Sequence, residues 1–343
     1  MKALLLTEYN NLEFTEFPEP QIGSDDLLVH VRACGICGSD VHGFDGSTGR
    51  RIPPLIMGHE ASGVVAKTGN NVTHFAVGDR VTFDSTVYCG RCYFCRRGEV
   101  NLCDNRQVLG VSPGGYVRHG AFAEYIAVPQ HITYPIPDAL SFEHSALVEP
   151  VSVAVHAVGL APMKLGDTAV VVGSGMIGLL VVQALRVAGC RSVIAIDLEE
   201  KKLRLAAELG AEVCLNAGEL DVPSAVRDCT SGRGADIAVE VVGNTQALET
   251  ALMSLRKGGT LILVGNISPK VDLQLQSVVT RQIRLLGACA SSGEYLVCID
   301  LLARKAIRVD SLIGAVAPLS EGAEWFRRLR SANCNVMKVI LQP

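Results

Sequence analysis

The sequence predicts an α/β protein with a β-rich first part and a doubly wound parallel sheet in its second part. Up to about residue 148, short apolar and β-branched runs are separated by Gly, Pro, Asn or Asp, which is typical of strands joined by turns. From residue 149 onward, strand-like runs alternate with helix-like segments, which indicates a parallel sheet with helices on both faces. A chain of 343 residues is long enough for two domains.

We expect one domain at 1–148, a second at 149–290, and a tail at 291–343 that returns to the first domain. The predicted strands of the first domain include 27–31, 61–66 and 80–83. The predicted strands of the second domain are 169–173, 192–197, 212–215, 236–241 and 260–264. The predicted helices include 201–209, 246–255 and 295–305, and a strand-like run follows at 336–341.

The composition excludes several function classes. A net charge of −4 leaves no broad basic surface for nucleic acid. The uncharged run at 168–185 has about the length of a membrane span, but its three glycines favour a buried strand, turn and helix. The chain begins without a charged leader or cleavage site, and 12 cysteines without secretion favour a reducing compartment. We therefore expect a cytoplasmic protein that binds neither nucleic acid nor membranes.

Four cysteines lie close together in a polar segment, at Cys89, Cys92, Cys95 and Cys103. Four thiolates at this spacing can complete a tetrahedral zinc site. An iron–sulfur cluster is one alternative, but the fourth cysteine comes late and no proline follows it. Four unrelated buried thiols are the other alternative, which the intervening glycines and arginines disfavour. The segment therefore predicts a zinc-binding lobe at 85–106.

A glycine-rich turn indicates a dinucleotide site. Gly173, Gly175 and Gly178 form a G-x-G-x-x-G motif directly after a predicted strand and at the start of a predicted helix. Such glycines allow a tight turn, close approach of a pyrophosphate and close packing of helix on strand. Asp197 ends the next strand, where a carboxylate accepts hydrogen bonds from ribose hydroxyls and repels a 2′-phosphate.

This combination predicts NAD as the coenzyme. The basic residues Lys201, Lys202 and Arg204 lie close to Asp197 and leave NADP as an alternative. The predicted coenzyme contacts are Gly173, Gly175, Met176, Ile177, Gly178, Asp197, Lys202, Val242 and Val264.

Further residues of metal-ligating types lie outside the four-cysteine segment. They occur at 34–42, at the pair His59–Glu60, and at Glu149 near the domain junction. A catalytic zinc takes three protein ligands and keeps one position open, and Cys37, His59 and a carboxylate would serve. From spacing alone, a surface His–Glu pair and buried thiols explain the same residues.

The order of these motifs resembles the zinc-containing medium-chain dehydrogenases, specifically their polyol (sorbitol-like) branch. Residues 35–42, 58–60, the four cysteines, 120–125 and the glycine-rich turn occur in family order, so the resemblance covers essentially the whole chain. It implies a GroES-like catalytic domain, a Rossmann coenzyme domain and a cleft between them that holds the active zinc. It also implies that the four-cysteine zinc is structural, which makes two zinc ions per chain.

The resemblance also implies a ligand set for the catalytic zinc. Cys37 and His59 match the two firm ligands, and Glu60 and Glu149 match carboxylates that bind the metal or exchange at it. The alcohol dehydrogenases proper have a cysteine in place of Glu149, which places this chain with the polyol enzymes. In this family the zinc ion polarises a substrate hydroxyl and the nicotinamide accepts hydride.

Removal of the hydroxyl proton is the remaining catalytic task. Ser39 resembles the first relay hydroxyl of the family and His42 the next group toward solvent. Glu149 or Glu60 is the alternative base. Asp40 is a candidate to orient His59, and Phe122 suits either the wall of the substrate pocket or the core.

Only the resemblance bears on the substrate. It favours oxidation of a polyol or sugar alcohol to a ketose, while near relatives act on sugar-alcohol phosphates, 2,3-butanediol or threonine. Arg50, Arg51 and Arg118 would suit a phosphate, but we expect them to be exposed loop residues. A catalytically inactive nucleotide-binding regulator and a nucleic-acid-binding zinc module are the non-enzyme alternatives. The family also suggests a homodimer or homotetramer.

Overall fold

The computed structural model describes residues 1–331, 334 and 336–343. These residues form two compact units. The first comprises Met1–Glu149, Tyr295–Ala303 and Val309–Pro343, and the second comprises Pro150–Glu294 and Arg304–Arg308. We expected the whole tail at 291–343 to belong to the first domain. In the structure, residues 291–294 and Arg304–Arg308 belong to the second unit, and the rest of the tail belongs to the first.

The strands and helices are numbered in chain order. The strands are β1 Lys2–Glu8, β2 Asn11–Glu16, β3 Asp26–Gly35, β4 Leu55–Ile56, β5 Glu60–Thr68, β6 Arg80–Phe83, β7 Thr86–Val87, β8 Gln107–Val108, β9 Tyr125–Pro129, β10 Thr133–Pro135, β11 Thr168–Val172, β12 Ser192–Asp197, β13 Val213–Asn216, β14 Ala235–Glu240, β15 Leu255–Leu263, β16 Arg284–Gly287, β17 Ile313–Pro318 and β18 Lys338–Gln342. The helices are α1 Gly38–Gly43, α2 Tyr93–Arg96, α3 Phe142–Ala146, α4 Val148–Gly159, α5 Met176–Val187, α6 Glu200–Glu208, α7 Val222–Cys229, α8 Thr245–Ser254, α9 Leu275–Thr280, α10 Tyr295–Ala303 and α11 Gly322–Arg330.

The first unit is built around the long strand β3. This strand pairs antiparallel with β5, β9 and β18, and the main sheet continues outward through β6 and β10 on one side and β17 on the other. In the register, Gly35 at the end of β3 lies opposite Glu60 of β5 and Ile340 of β18. The predicted β-rich first part is confirmed, and the C-terminal strand reaches the same end of β3 as Glu60.

The second unit contains one six-stranded parallel sheet with the order β13-β12-β11-β14-β15-β16. Helices α5 to α9 each connect two consecutive strands of this sheet. Val170 and Val171 of β11 are neighbours on opposite faces, and both are fully buried, as expected for a central strand that is covered on both faces. The predicted doubly wound parallel sheet is thus confirmed.

The sheet order reverses between β11 and β14, and ligands of such sheets bind beyond the carboxyl ends of the strands at this reversal. The uncharged run at 168–185 divides into strand β11 and helix α5, as predicted. Among the described residues, no helix has both the length and the apolar character that crossing a membrane requires.

Candidate metal and coenzyme sites

Three metal-ligating side chains converge at the end of β3 in the first unit. Cys37 follows β3 and caps helix α1, while His59 directly precedes Glu60, the first residue of β5. Because β3 and β5 are paired at this end, the two segments are held side by side. One ligand atom from each of Cys37, His59 and Glu60 lies within 4.8 Å of the others. Three of the residues predicted for the catalytic zinc are therefore brought together.

A buried lysine holds the Glu60 carboxylate. The Nζ atom of Lys338, the first residue of β18, lies 2.8 and 2.7 Å from the two carboxylate oxygens and 3.0 Å from the carbonyl oxygen of Ile36. Burial lowers the pKa of Lys338, but the charges of Glu60, Cys37 and Glu149 and the hydrogen bonds to Glu60 together more than offset this, so the net pKa shift is upward. Gly35 leaves space for the Glu60 carboxylate, because a Cβ atom at this position would lie 2.2 Å from a Glu60 oxygen. The sequence did not predict a role for Lys338, because only the pairing of β18 with β3 brings this residue to Glu60.

A second buried charge faces His59. Oδ1 of Asp40 lies 3.4 Å from Nδ1 of His59 and 2.8 Å from Nη2 of Arg51. Burial lowers the pKa of His59, but the charges of Asp40 and Cys37 raise it well above its ordinary value. Because Nδ1 faces Asp40, Nε2 is the nitrogen that remains for a metal. Asp40 therefore has the position expected of a residue that orients His59.

Glu149 lies in the same electrostatic neighbourhood, near the start of α4, but outside the group of close ligand atoms. The hydroxyl of Ser85 donates to Glu149 at 3.5 Å. Burial raises the pKa of Glu149, the charge of His59 opposes this shift, and the charges of Glu60 and Asp84 add to it, so that the net pKa is about 7. A carboxyl group with this pKa exchanges its proton near neutral pH.

The residues of this cluster fit a zinc ion. A thiolate, an imidazole and carboxylates are the ligand types that zinc takes at catalytic sites. The raised pKa of both His59 and Glu149 shows that the cluster favours added positive charge. A bound dication would supply that charge and would stabilise Glu149 in its ionised form.

The predicted relay residues share the short helix α1. Ser39 and His42 are three residues apart, which places them on the same helix face, and both are exposed. The hydroxyl oxygen of Ser39 accepts a hydrogen bond from Nη2 of Arg51 at 3.3 Å. The arrangement is compatible with a proton path from the metal cluster toward solvent.

The four cysteines of the 85–106 lobe also converge, with one sulfur from each within 4.8 Å of the others. The backbone amides of Cys89 and Asn105 each donate to the Cys103 sulfur at 3.3 Å. Backbone hydrogen bonds, the strongest from Arg91, lower the pKa of Cys89 to about 6, whereas burial and the neighbouring thiols raise the pKa of Cys95 to about 12. Crowded thiols therefore resist full ionisation without a cation, so this group also fits zinc.

The glycine-rich turn has the conformation that a dinucleotide site needs. Gly173 has a φ of +98°, and a Cβ atom there would lie 2.6 Å from the Val242 side chain. A Cβ atom on Gly178 would lie 1.8 Å from the Gly173 carbonyl oxygen, whereas one on Gly175 would meet nothing within 4 Å. Gly175 caps helix α5 without a side-chain hydrogen bond, so the first-turn amides of Met176 and Ile177 face the helix N-terminus.

Asp197 ends β12 beside this turn. Its Oδ2 atom accepts a hydrogen bond from the Ser174 amide at 2.7 Å, and its Oδ1 atom accepts from the amides of Leu198 and Glu199 at 2.8 and 3.0 Å. These bonds fix the carboxylate against the glycine-rich turn.

The other predicted coenzyme contacts lie at the same edge of the second unit or near it. Val242 lies two residues after strand β14, Val264 directly follows strand β15, and both are partly exposed. Lys202, one of the three basic residues that left NADP as an alternative, pairs with Glu199 through Nζ and Oε1 at 2.6 Å.

The structure revises the expected exposure of two arginines and bears on the open alternative for Phe122. Arg51 is buried at 4% exposure, so the expectation of an exposed loop residue is wrong for it, while Arg50 is exposed. Arg118 is partly buried and donates to Gln107 at 2.7 Å. Phe122 is fully buried and packs edge-on against Phe326, which favours the core alternative over a pocket wall.

Comparisons with known proteins agree with this arrangement. Residues 23–138 match the family model described as "Alcohol dehydrogenase GroES-like domain", and residues 177–304 match "Zinc-binding dehydrogenase". The chain is 35% identical to a sorbitol dehydrogenase of Bacillus subtilis over 347 residues, which cover 100% of this chain and 97% of that relative. It is 34% identical to a D-arabitol-phosphate dehydrogenase of Enterococcus avium, with 95% of this chain and 92% of that relative covered.

A solved structure from Sinorhizobium meliloti 1021, described as a zinc-binding dehydrogenase bound to NADP, superimposes with a TM-score of 0.92 at 34% identity. The superposition covers 100% of this chain and 99% of that chain. The GroES-like and Rossmann architecture and the resemblance are confirmed: the chain belongs to the zinc-containing medium-chain dehydrogenases, in their polyol dehydrogenase branch.

Proposed function

We propose that this enzyme oxidises a secondary alcohol of a polyol or sugar alcohol to a ketone, with hydride transfer to NAD. The observation that supports the proposal most is the convergence of Cys37, His59 and Glu60 within 4.8 Å, beside Glu149, in a member of this family. Both relatives are named for polyol substrates, sorbitol and D-arabitol phosphate, which favours a polyol as the substrate.

The proposed roles follow from the positions of the residues. When bound, zinc supplies a Lewis acid that favours loss of the hydroxyl proton, and NAD supplies the hydride acceptor. Cys37 and His59 hold the metal, and Glu60 or Glu149 provides the carboxylate ligand. Ser39 accepts the departing proton and His42 takes it to solvent, since both lie on one face of α1. The four cysteines of the 85–106 lobe hold the structural zinc.

Glu149 is the better candidate for the carboxylate that enters and leaves the metal. Both oxygens of Glu60 accept from the buried Lys338, whereas Glu149 accepts from Ser85 and has a pKa of about 7. An exchangeable ligand needs a modest cost of release. Glu149 meets this condition, because it can take a proton when it leaves the metal.

NAD is the proposed coenzyme, because Asp197 stands where the ribose hydroxyls of the adenosine half would bind. Its carboxylate retains acceptor capacity beyond its three amide bonds and repels a 2′-phosphate. The ion pair with Glu199 neutralises the charge of Lys202, so Lys202 attracts a 2′-phosphate less strongly. We further propose a cytoplasmic homodimer or homotetramer.

A substrate panel tests the proposed function. The purified zinc-loaded enzyme is mixed with sugar alcohols, their phosphates, 2,3-butanediol or threonine, with either NAD or NADP, and coenzyme reduction is followed by absorbance. We expect turnover with at least one polyol and a preference for NAD. A phosphorylated substrate would need a cationic partner other than Arg51, whose guanidinium is already bound to Asp40. Failure to oxidise any secondary alcohol with full metal loading would contradict the proposal.

The variant Glu149→Gln tests the carboxylate assignment through the pH dependence of metal binding. A carboxylate ligand must lose its proton to bind metal, so the wild-type affinity should fall as the pH drops through about 7. We expect Glu149→Gln to bind the catalytic zinc about 10–100-fold more weakly at pH 8 and to approach the wild-type affinity near pH 5.5. Competition with a chromophoric chelator measures the affinity.

Glu143→Gln, a partly buried glutamate on α3, is the matched control and should retain the wild-type profile. Equal affinity of Glu149→Gln and the wild type at pH 8 would exclude Glu149 as a ligand.

A further inference from the structure

Arg51 is buried in a segment whose neighbouring residues 47–50 are exposed. It is 4% exposed, and its backbone forms a bridge with Ser112. Gly43 of helix α1 provides the space for its side chain, since a Cβ atom there would lie 2.7 Å from Cγ of Arg51. The guanidinium group is thus directed against α1 and away from solvent.

The guanidinium has partners on two adjacent residues of α1. Its Nε and Nη2 atoms donate to Oδ1 of Asp40 at 3.3 and 2.8 Å, and Nη2 also donates to Oγ of Ser39 at 3.3 Å. A buried pair of this kind adds little net stability, because desolvation of both charges offsets most of their attraction. Its main consequence is therefore the geometry that the planar guanidinium imposes on both side chains.

We propose that Arg51 is a positioning residue of the reaction, which fixes the Ser39 hydroxyl and, through Asp40, the ring of His59. The inference rests on the proposed function, since it assigns Arg51 to the proton path and to the metal ligand of that reaction. Arg51 acts through Ser39 and Asp40, because its guanidinium donates hydrogen bonds to these two side chains.

The first consequence concerns the direction of the Ser39 hydroxyl. A guanidinium has donors only, so Ser39 must accept from Arg51 and direct its own hydrogen elsewhere. The hydroxyl thereby gains a fixed polarity, and one of its lone pairs is occupied. Proton transfer through a hydroxyl of defined orientation needs less rearrangement than transfer through a freely rotating one.

The second consequence concerns His59. Asp40 is fully buried, and its Oδ1 atom, which accepts from Nη2 of Arg51 at 2.8 Å, lies 3.4 Å from Nδ1 of His59. The guanidinium therefore fixes the Asp40 carboxylate opposite Nδ1 of His59, which orients the ring and leaves Nε2 for the metal. One side chain therefore supports both the proton path and the metal ligand.

Two variants and one matched control test the proposal. Arg51→Met removes the charge and the donors, and Arg51→Lys keeps the charge but loses the planar fork. Arg50→Met changes the exposed neighbour and is the control. Each protein is measured for kcat and KM with NAD and the best alcohol of the panel, for NADH binding, and for the rate at which a chelator removes the catalytic zinc.

We expect Arg51→Met to lower kcat by about 10–100-fold and to speed zinc release by a similar factor. NADH binding should stay unchanged, because the glycine-rich turn lies in the other unit. Arg51→Lys should release zinc as slowly as the wild type but should still have a lowered kcat. A single ammonium group can pair with Asp40 but cannot also donate to Ser39 in the same geometry. Wild-type kcat and release rate in Arg51→Met, or the same losses in Arg50→Met, would overturn the proposal.

A double-mutant cycle with Ser39→Ala separates positioning from general weakening of the fold. If Arg51 acts through Ser39, the loss of kcat in Ser39→Ala/Arg51→Met should stay well below the product of the two single losses. Fully multiplicative losses would refute the action through Ser39. Zinc release needs no turnover, so it decides the role toward His59 even if the panel disproves the proposed reaction. If Arg51→Met fails to fold, Arg51→Gln, which also removes the charge, takes its place and is expected to show the same losses of kcat and of zinc retention.

Discussion

Replacement of Cys37 by alanine is expected to remove one of two zinc ions and to lower kcat by at least about 10³-fold. The Lewis acid supplies several kcal/mol of transition-state stabilisation, and each 1.36 kcal/mol corresponds to a factor of ten in rate. A site with His59 and carboxylates alone lacks the thiolate and should not retain zinc through purification. Zinc content, kcat and NADH binding measured on the same preparation check this expectation.

Cys34→Ala is the matched control for Cys37→Ala. Cys34 lies three residues earlier, is fully buried, and belongs to the hydrophobic core cluster of the first unit. Burial raises the pKa of its thiol well above the ordinary value, so it remains neutral and is a poor ligand. The control should lose some stability through the small cavity but keep both zinc ions and most of its activity. Retention of both zinc ions by Cys37→Ala would contradict the assigned ligand set.

Replacement of Cys95 by serine should remove the other zinc ion and destabilise the 85–106 lobe, with little direct effect on hydride transfer. A structural zinc contributes about 10–16 kcal/mol to the folding of small zinc domains. Because the lobe can open locally without unfolding the rest of the unit, only part of this free energy is expected to appear in global unfolding. We expect Tm to fall by at least about 5 °C, because 1 kcal/mol shifts Tm by roughly 2–4 °C in domains of about 150–250 residues. Thermal unfolding with parallel zinc analysis measures the effect.

The kinetic part of this prediction separates the two metal sites. At a temperature well below the new Tm, Cys95→Ser should keep kcat within about threefold of the wild type, because the four-cysteine shell has no open position for a substrate. Cys229→Ser, an exposed cysteine of the second unit, is the control and should change neither property. A collapse of kcat at unchanged Tm would show that the lobe takes part in the chemistry.

The sequence alone predicted the features that depend on local pattern. Alternation of strand-like and helix-like runs predicted the parallel sheet, because the period of apolar residues reflects which faces of each element are buried. The glycine-rich turn was predicted because the positive φ of Gly173 and the close approach at Gly178 both require glycine. The four cysteines converge within one short segment, so their spacing sufficed.

The catalytic cluster is different, because its members come from distant parts of the chain. Spacing alone left Cys37, His59 and Glu149 with ordinary structural explanations, and the resemblance was needed to group them. The partners of this group had no sequence signal of their own. Lys338 resembles any lysine at the start of a strand, and Arg51 resembles its exposed neighbour Arg50.

Only the tertiary structure placed these charges. Lys338 meets Glu60 because β18 pairs with the end of β3, and Arg51 reaches Asp40 because Gly43 leaves room beside α1. The physical reason is that burial and charge pairing depend on which strands and loops become neighbours. A residue's own sequence context determines its type and local conformation. The convergence of Cys37, His59 and Glu60 into a candidate metal site, with Glu149 in the same electrostatic neighbourhood, arises only from the assembled fold.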